Sequence, residues 1–109
     1  MKQLEIKKDC INAIMRRLAM ELPFPVSKSA IRFYERQGLI KPQRWSDNTY
    51  RIYTEQEYKT LRSIFILSNI GFSLKEIRRY ITGENRDDIK KQARTRLDEI
   101  AIAVEKGAL

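Results

Sequence analysis

From Ile11 the apolar positions fall at Ile11, Ile14, Met15, Leu18, Ala19 and Leu22. That is the three-and-four spacing of one helical face, with Asn12, Arg16, Arg17 and Glu21 turned elsewhere. Pro23 and Pro25 stop this helix, since each lacks a donor N–H and disfavours a helical residue before it. Ser27 then stands as the N-cap of a second, short helix. Gly38 closes it by permitting a left-handed C-terminal residue.

Between Ile40 and Tyr53 the helical period disappears. Pro42 and the run Ser46-Asp47-Asn48 are turn chemistry, and the flanks Gln43 to Trp45 and Tyr50 to Tyr53 are rich in strand formers. The pattern predicts a small β-hairpin, a wing. Thr54-Glu55-Gln56-Glu57 is a capping box opening a third helix, in which hydroxyl and carboxylate satisfy each other's orphan N–H groups. Tyr58, Leu61, Ile64, Phe65 and Ser68 are expected on its inner face. Gly71 ends that helix, and Ser73-Leu74-Lys75-Glu76 is a second box opening a fourth.

Gly83 and Asn85 separate a last helix, from about Arg86 to Lys106. Its apolar residues Ile89, Ala93, Leu97, Ile100 and Val104 are spaced 4, 4, 3 and 4, a narrow coiled-coil-like seam on an otherwise charged rod. Two arrangements suit it: pairing with a second copy, or folding back on its own core. The seam covers barely three heptads, too few to decide by pattern alone.

At 109 residues the chain is one small domain, or a domain with a short appendage. Such a core is marginal alone, and oligomerisation is a common remedy. No apolar run reaches ~20 residues, so no membrane span is expected. The N-terminus alternates charged and apolar residues, unlike a secretion signal, which makes the cytoplasm the expected location. The single Cys10 excludes an internal disulfide, and there is no histidine and no C-x-x-C. With no Gly-rich phosphate loop or nucleophile elbow either, neither catalysis nor a metal or other cofactor is expected.

Charge alters the picture more. The chain carries a net +8, which favours an anionic partner, nucleic acid or membrane surface. Between Ser27 and Tyr53 stand six basic residues (Lys28, Arg32, Arg36, Lys41, Arg44, Arg51) against Glu35 and Asp47, a net +4 in 27 positions. Phe33, Tyr34, Trp45, Tyr50 and Tyr53 are interleaved with them. Helix, turn, helix and hairpin carrying such a patch suit duplex DNA, the second helix in the major groove and the wing on the backbone. Arginine supplies a planar fork for phosphate oxygens or a guanine edge. Serine and free N–H groups at a helix N-terminus add neutral phosphate contacts.

These residues resemble a known family. The run Ala30-Ile31-Arg32-Phe33-Tyr34-Glu35-Arg36-Gln37-Gly38-Leu39-Ile40 is similar to the recognition helix of MerR-type transcription regulators, T-I-R-Y-Y-E-x-x-G-L-L. Their wing, R-x-x-x-G-Y-R-x-Y, is matched by Arg44, Tyr50, Arg51 and Tyr53. Their G-F-S-L-x-E-I stands here as Gly71-Phe72-Ser73-Leu74-Lys75-Glu76-Ile77. The resemblance implies a homodimer joined by antiparallel C-terminal helices, a palindromic promoter site in double-stranded DNA that is bent and untwisted, and RNA polymerase as a partner at that promoter. Carried over by position, the recognition contacts fall on Ser29 and Arg32, with Tyr34 towards the backbone, and the wing contacts on Tyr50 and Arg51. Lys28 is added from charge and position alone.

Two departures from the family pattern stand out. Thr49 replaces the wing glycine, which shifts any demand for positive φ to Asn48 or Asp47. Pro23-Phe24-Pro25-Val26-Ser27 occupies the place of the family's T-G-V-S turn after a longer first helix. Metal-sensing relatives place thiol ligands beyond the dimer helix, whereas this sequence runs only to Leu109, so metal sensing is not expected.

Several residues stay open to two uses. Ile31, Phe33 and Tyr34 suit the core as well as a surface; Arg44 suits DNA or an ion pair with Glu35; Trp45 suits stacking or covering the core. Cys10 is expected as a buried or half-exposed helix residue. The fold expected is mainly α: a winged helix-turn-helix with a second helix pair and a C-terminal coiled-coil dimerisation helix. Residues 1–84 would form the DNA-binding domain and 85–109 the dimerisation helix. The function expected is sequence-specific DNA-binding transcription regulation; the alternatives are an excisionase-like architectural DNA-bending protein and a protein-binding adaptor.

Overall fold

The computed structural model describes residues 8–44 and 51–107. In chain order they form β1 (Lys8–Asp9), α1 (Ile11–Glu21), α2 (Lys28–Arg36), β2 (Gln43–Arg44), β3 (Arg51–Thr54), α3 (Glu55–Ile70), α4 (Leu74–Thr82) and α5 (Arg86–Glu105). The chain divides into two compact units, Met1–Phe65 and Ile66–Leu109, with α3 contributing to both.

In the first unit, α1 packs against α2 and β3. Its buried residues Ile14, Leu18 and, just beyond its end, Leu22 confirm the predicted stripe, while Ala19 is exposed and Ile11 and Met15 are half-buried. The Ser27 hydroxyl caps α2 by accepting from the Ala30 N–H at 3.1 Å. At the other end Gly38 has φ +77°, and the Gly38 and Leu39 N–H groups return to the carbonyls of Glu35 and Tyr34. This is the glycine-dependent helix stop that the sequence suggested.

β2 pairs antiparallel with β3, Gln43 opposite Ile52 and Arg44 opposite Arg51. The wing is therefore present, with its expected connection lying outside the described residues. Its other edge holds a strand that the sequence reading lacked: β1 pairs with β3, Lys8 opposite Thr54 and Asp9 opposite Tyr53, giving the order β1-β3-β2. Two residues are too few to show a period, so only the sheet edge reveals them. Cys10 is exposed as the N-cap of α1, without a side-chain capping bond, rather than buried within the helix.

The Thr54 capping box forms as expected: the Thr54 N–H donates to Glu57 at 2.8 Å and the Glu57 N–H to the Thr54 hydroxyl at 3.3 Å. Tyr58, Leu61, Ile64 and Phe65 are buried on α3. Ser68 is exposed, however, and Leu67 is buried. The predicted inner face thus shifts by one position near the end of the helix, where burying an alkyl side chain is favoured over burying a hydroxyl.

In the second unit, Gly71 (φ +107°) ends α3, with N–H groups of Gly71 and Phe72 donating to the Ser68 and Leu67 carbonyls. The Ser73–Glu76 box then opens α4. Its bonds from the Ser73 N–H hold the Glu76 carboxyl below the usual carboxylate range. α4 packs against α5, and Leu67, Phe72, Ile77 and Ile89 make up the core. The Arg96 guanidinium covers the Phe72 ring at 3.8 Å.

Candidate nucleic-acid interface

α2 sorts its side chains sharply. Ile31 and Tyr34 are buried, and Tyr34 meets the Phe65 ring edge-on, centroids 5.4 Å apart. Ser29, Arg32, Phe33 and Arg36 are exposed. Their spacing of 3, 1 and 3 places them on one helical face, one above another. Lys28 is half-buried in the first turn. Among the described residues, none of Lys28, Arg32 and Arg36 forms an ion pair. The face is cationic, with an aromatic ring at its centre.

This corrects the expectation for Tyr34. At 8 % exposure its ring belongs to the core, packed between Phe33 and Phe65, and little of it remains to reach a phosphate. Phe33, by contrast, is 40 % exposed. Arg36 and Phe33 were absent from the predicted contact set, although helical spacing from Ser29 and Arg32 would have found both. Ser29 and Arg32 are both exposed on this face of α2. Of the wing residues, Arg44 and Arg51 are directly opposite in the β2–β3 register, and Tyr50 lies outside the described residues.

A second group of polar side chains joins α1 to the start of α3. Arg17 donates two hydrogen bonds to Glu55, at 2.8 and 2.7 Å, and stacks over the Tyr58 ring at 3.7 Å. The Tyr58 hydroxyl donates to Glu21, which Arg62 also approaches at 3.4 Å. The bond to Glu55 raises the Arg17 pKa further above its ordinary value. Burial, and then donation to Glu21, push the Tyr58 hydroxyl up to about 12. The same bond, with Arg62 and Arg17 nearby, holds Glu21 below the ordinary glutamate value.

On α5 the predicted seam divides. Ile89 is 1 % exposed, buried in its own unit, and so is removed from the surface that a partner would meet. Ala93 is half-buried, whereas Leu97 and Ile100 are 50 % and 44 % exposed. The side chain of Val104 lies outside the described set. Ile102, also exposed, stands off the seam and was not foreseen. Among the described residues no three His, Cys, Asp or Glu side chains are grouped as metal ligands, and no helix is long and apolar enough to cross a membrane.

A helix-turn-helix followed by a hairpin wing, whose outer edge β1 completes from before α1, and by further helices defines a class of nucleic-acid-binding folds. Residues 24–84 match the profile of the MerR HTH family regulatory proteins, and the chain belongs to that family. It is 37 % identical over 65 residues to the mercuric resistance operon regulatory protein of Bacillus cereus, covering 60 % of this chain and 49 % of that one. Over 51 residues it is 41 % identical to the HTH-type transcriptional regulator CueR of Escherichia coli, 47 % of this chain and 38 % of the other. The chain thus matches less than half the length of either relative. In fold it is similar to HiNmlR, a MerR family regulator lacking the sensor domain, bound to promoter DNA: TM-score 0.78, 18 % identity, covering 94 % of this chain and 79 % of the other. A Bacillus cereus MerR family regulator superposes with a TM-score of 0.65 at 22 % identity, over 94 % and 73 % of the two chains. The family is one of DNA-binding transcription regulators, not of enzymes.

Proposed function

We propose that this protein is a sequence-specific, double-stranded-DNA-binding transcription regulator of the MerR type. It acts in the cytoplasm as a homodimer on a palindromic promoter site, distorts that site, and works there with RNA polymerase. The observation that carries this reading is the exposed cationic face of α2, where Ser29 is exposed beside Arg32 and Arg36 and neither arginine forms an ion pair among the described residues. In it, residues 1–84 bind DNA and 85–109 join two copies. Ser29 and Arg32 face the groove with Lys28 at the helix end. Arg44, Tyr50 and Arg51 of the wing grip the flanking backbone, and Tyr34 supports the helix from beneath.

Backbone contacts of this kind release counterions. If a dimer neutralises about eight phosphates, log K falls against log salt with a slope of roughly −7. Titration of a duplex selected from a random pool, across a range of salt, measures that slope. Salt-independent affinity, or no binding at ~50 mM salt, would contradict the proposal.

A further inference from the structure

The carboxylate of Glu21 stands at the wrong end of a helix. It is the last residue of α1, at the negative pole of the helix dipole, and that turn contains no basic residue. Locally it is destabilising, so its position has to be set from outside the helix. The Tyr58 hydroxyl donates to it, and Arg62 approaches from the next turn of α3. One turn earlier on α1, Arg17 forks onto Glu55, the first residue of α3. Arg17 also covers the ring whose hydroxyl holds Glu21. Five side chains thus form one connected group between α1 and the start of α3.

What this group joins gives it meaning. β3 ends at Thr54 and α3 begins at Glu55 with no linker, so Arg17 is bound at the root of the wing. α1 packs against α2 and against β3, which makes it the element common to the recognition helix and the wing. The apolar contacts of Ile14 and Leu18 hold α1 down but are non-directional, and permit small slides. A two-pronged arginine–carboxylate pair and a part-buried hydroxyl bond fix register. The clamp also lies beside the segment that leads from α1 into α2, where Pro23-Phe24-Pro25 departs from the family's turn.

We propose that Arg17, Glu21, Glu55, Tyr58 and Arg62 are positioning residues that set the recognition helix against the wing, and so determine how well major-groove and backbone contacts are made together. This rests on the proposed DNA-binding reading. It predicts that loosening the clamp lowers discrimination between sequences, while random DNA, which needs only charge, is bound as before.

The test uses the whole chain and a duplex selected by the wild type from a random pool. Tyr58→Phe removes one hydroxyl and keeps the ring; Glu55→Gln keeps the shape and removes the charge. Each variant is first shown to be folded by circular dichroism. The expected result is about a tenfold fall in the ratio of selected to random affinity, with weakened footprint protection under the wing. The exchange Arg17→Glu with Glu55→Arg should recover part of that ratio where either change alone does not. An unchanged ratio and footprint would overturn the clamp while leaving the DNA-binding reading intact. So would an equal loss on both DNAs, or a loss the exchange does not repair. A wild type that selects no duplex at all would remove the DNA-binding reading and this proposal with it.

Discussion

Arg32 and Arg51 have different tasks in the proposed interface, and single substitutions separate them. Arg32 is on the exposed face of α2, where its guanidinium can address a base edge. Arg32→Ala is expected to cost about 1–3 kcal/mol on the selected site and to relax preference at one base position. Arg51, on the wing strand, is expected to act on phosphate, so Arg51→Ala should weaken every sequence alike. Binding isotherms on selected and random duplexes read both effects. An equal loss on the two DNAs for Arg32→Ala would show that it positions the protein without reading a base. At this scale residue type was legible in the sequence and orientation less so. Tyr34 and Phe33 are adjacent aromatics of similar size, yet one is core and the other surface, because the helix turns 100° between them.

Among the elements, both capping boxes and the glycine stops follow directly from local chemistry, since their partners lie within a few residues. The polar group around Tyr58 does not. Glu21 and Tyr58 are 37 positions apart and meet only because α1 and α3 are in contact. Burial of the Tyr58 hydroxyl, and then its bond to Glu21, have a consequence for pH. The Tyr58 hydroxyl is raised from 10 to about 12, so the folded state keeps a proton that the unfolded chain releases. The corresponding stabilisation is complete below pH 10 and is lost as pH rises from 10 to about 12. Thermal melts of wild type and Tyr58→Phe should therefore keep a constant separation below that window and converge within it. Parallel curves throughout would show that the bond does not distinguish the two states. Tyrosinate absorbance gives an independent reading: the wild type should show a late-titrating tyrosine that Tyr58→Phe removes.

For the whole molecule the decisive element is α5. Leu97 and Ile100 leave much of their apolar surface in water on a helix that carries many charges. A two-fold dimer would cover both copies of that surface and present two recognition helices to a palindrome. Leu97→Asp or Ile100→Asp should give folded monomer that binds a palindromic site far more weakly, since the second half-site loses effective concentration. Ile89→Ala should behave differently: it is buried in its own unit, so its removal should cost about 2–5 kcal/mol of stability and leave assembly intact. Sedimentation and denaturant melts distinguish the two classes. A monomeric wild type at micromolar concentration, or dimeric aspartate variants, would contradict the assignment.

The sequence by itself determined the helices, the wing hairpin and their order, because helices, caps and turns depend on residues within one or two turns of each other. It also determined where the cationic patch lies along the chain, and the family motifs made the kind of fold readable. Only the tertiary structure decided which side of each element faces inward where two faces were both plausible, as for Ser68 and Leu67 on α3, or Tyr34 and Phe33 on α2. It alone supplied β1, whose two residues acquire their strand conformation from the free edge of β3. It alone took Ile89 out of the seam and brought Arg17 to Glu55 and Glu21 to Tyr58. The reason is common to all of these. Burial and long-range hydrogen bonds are properties of pairs distant in sequence, and the periodicity of one segment contains no information about the surface it will meet.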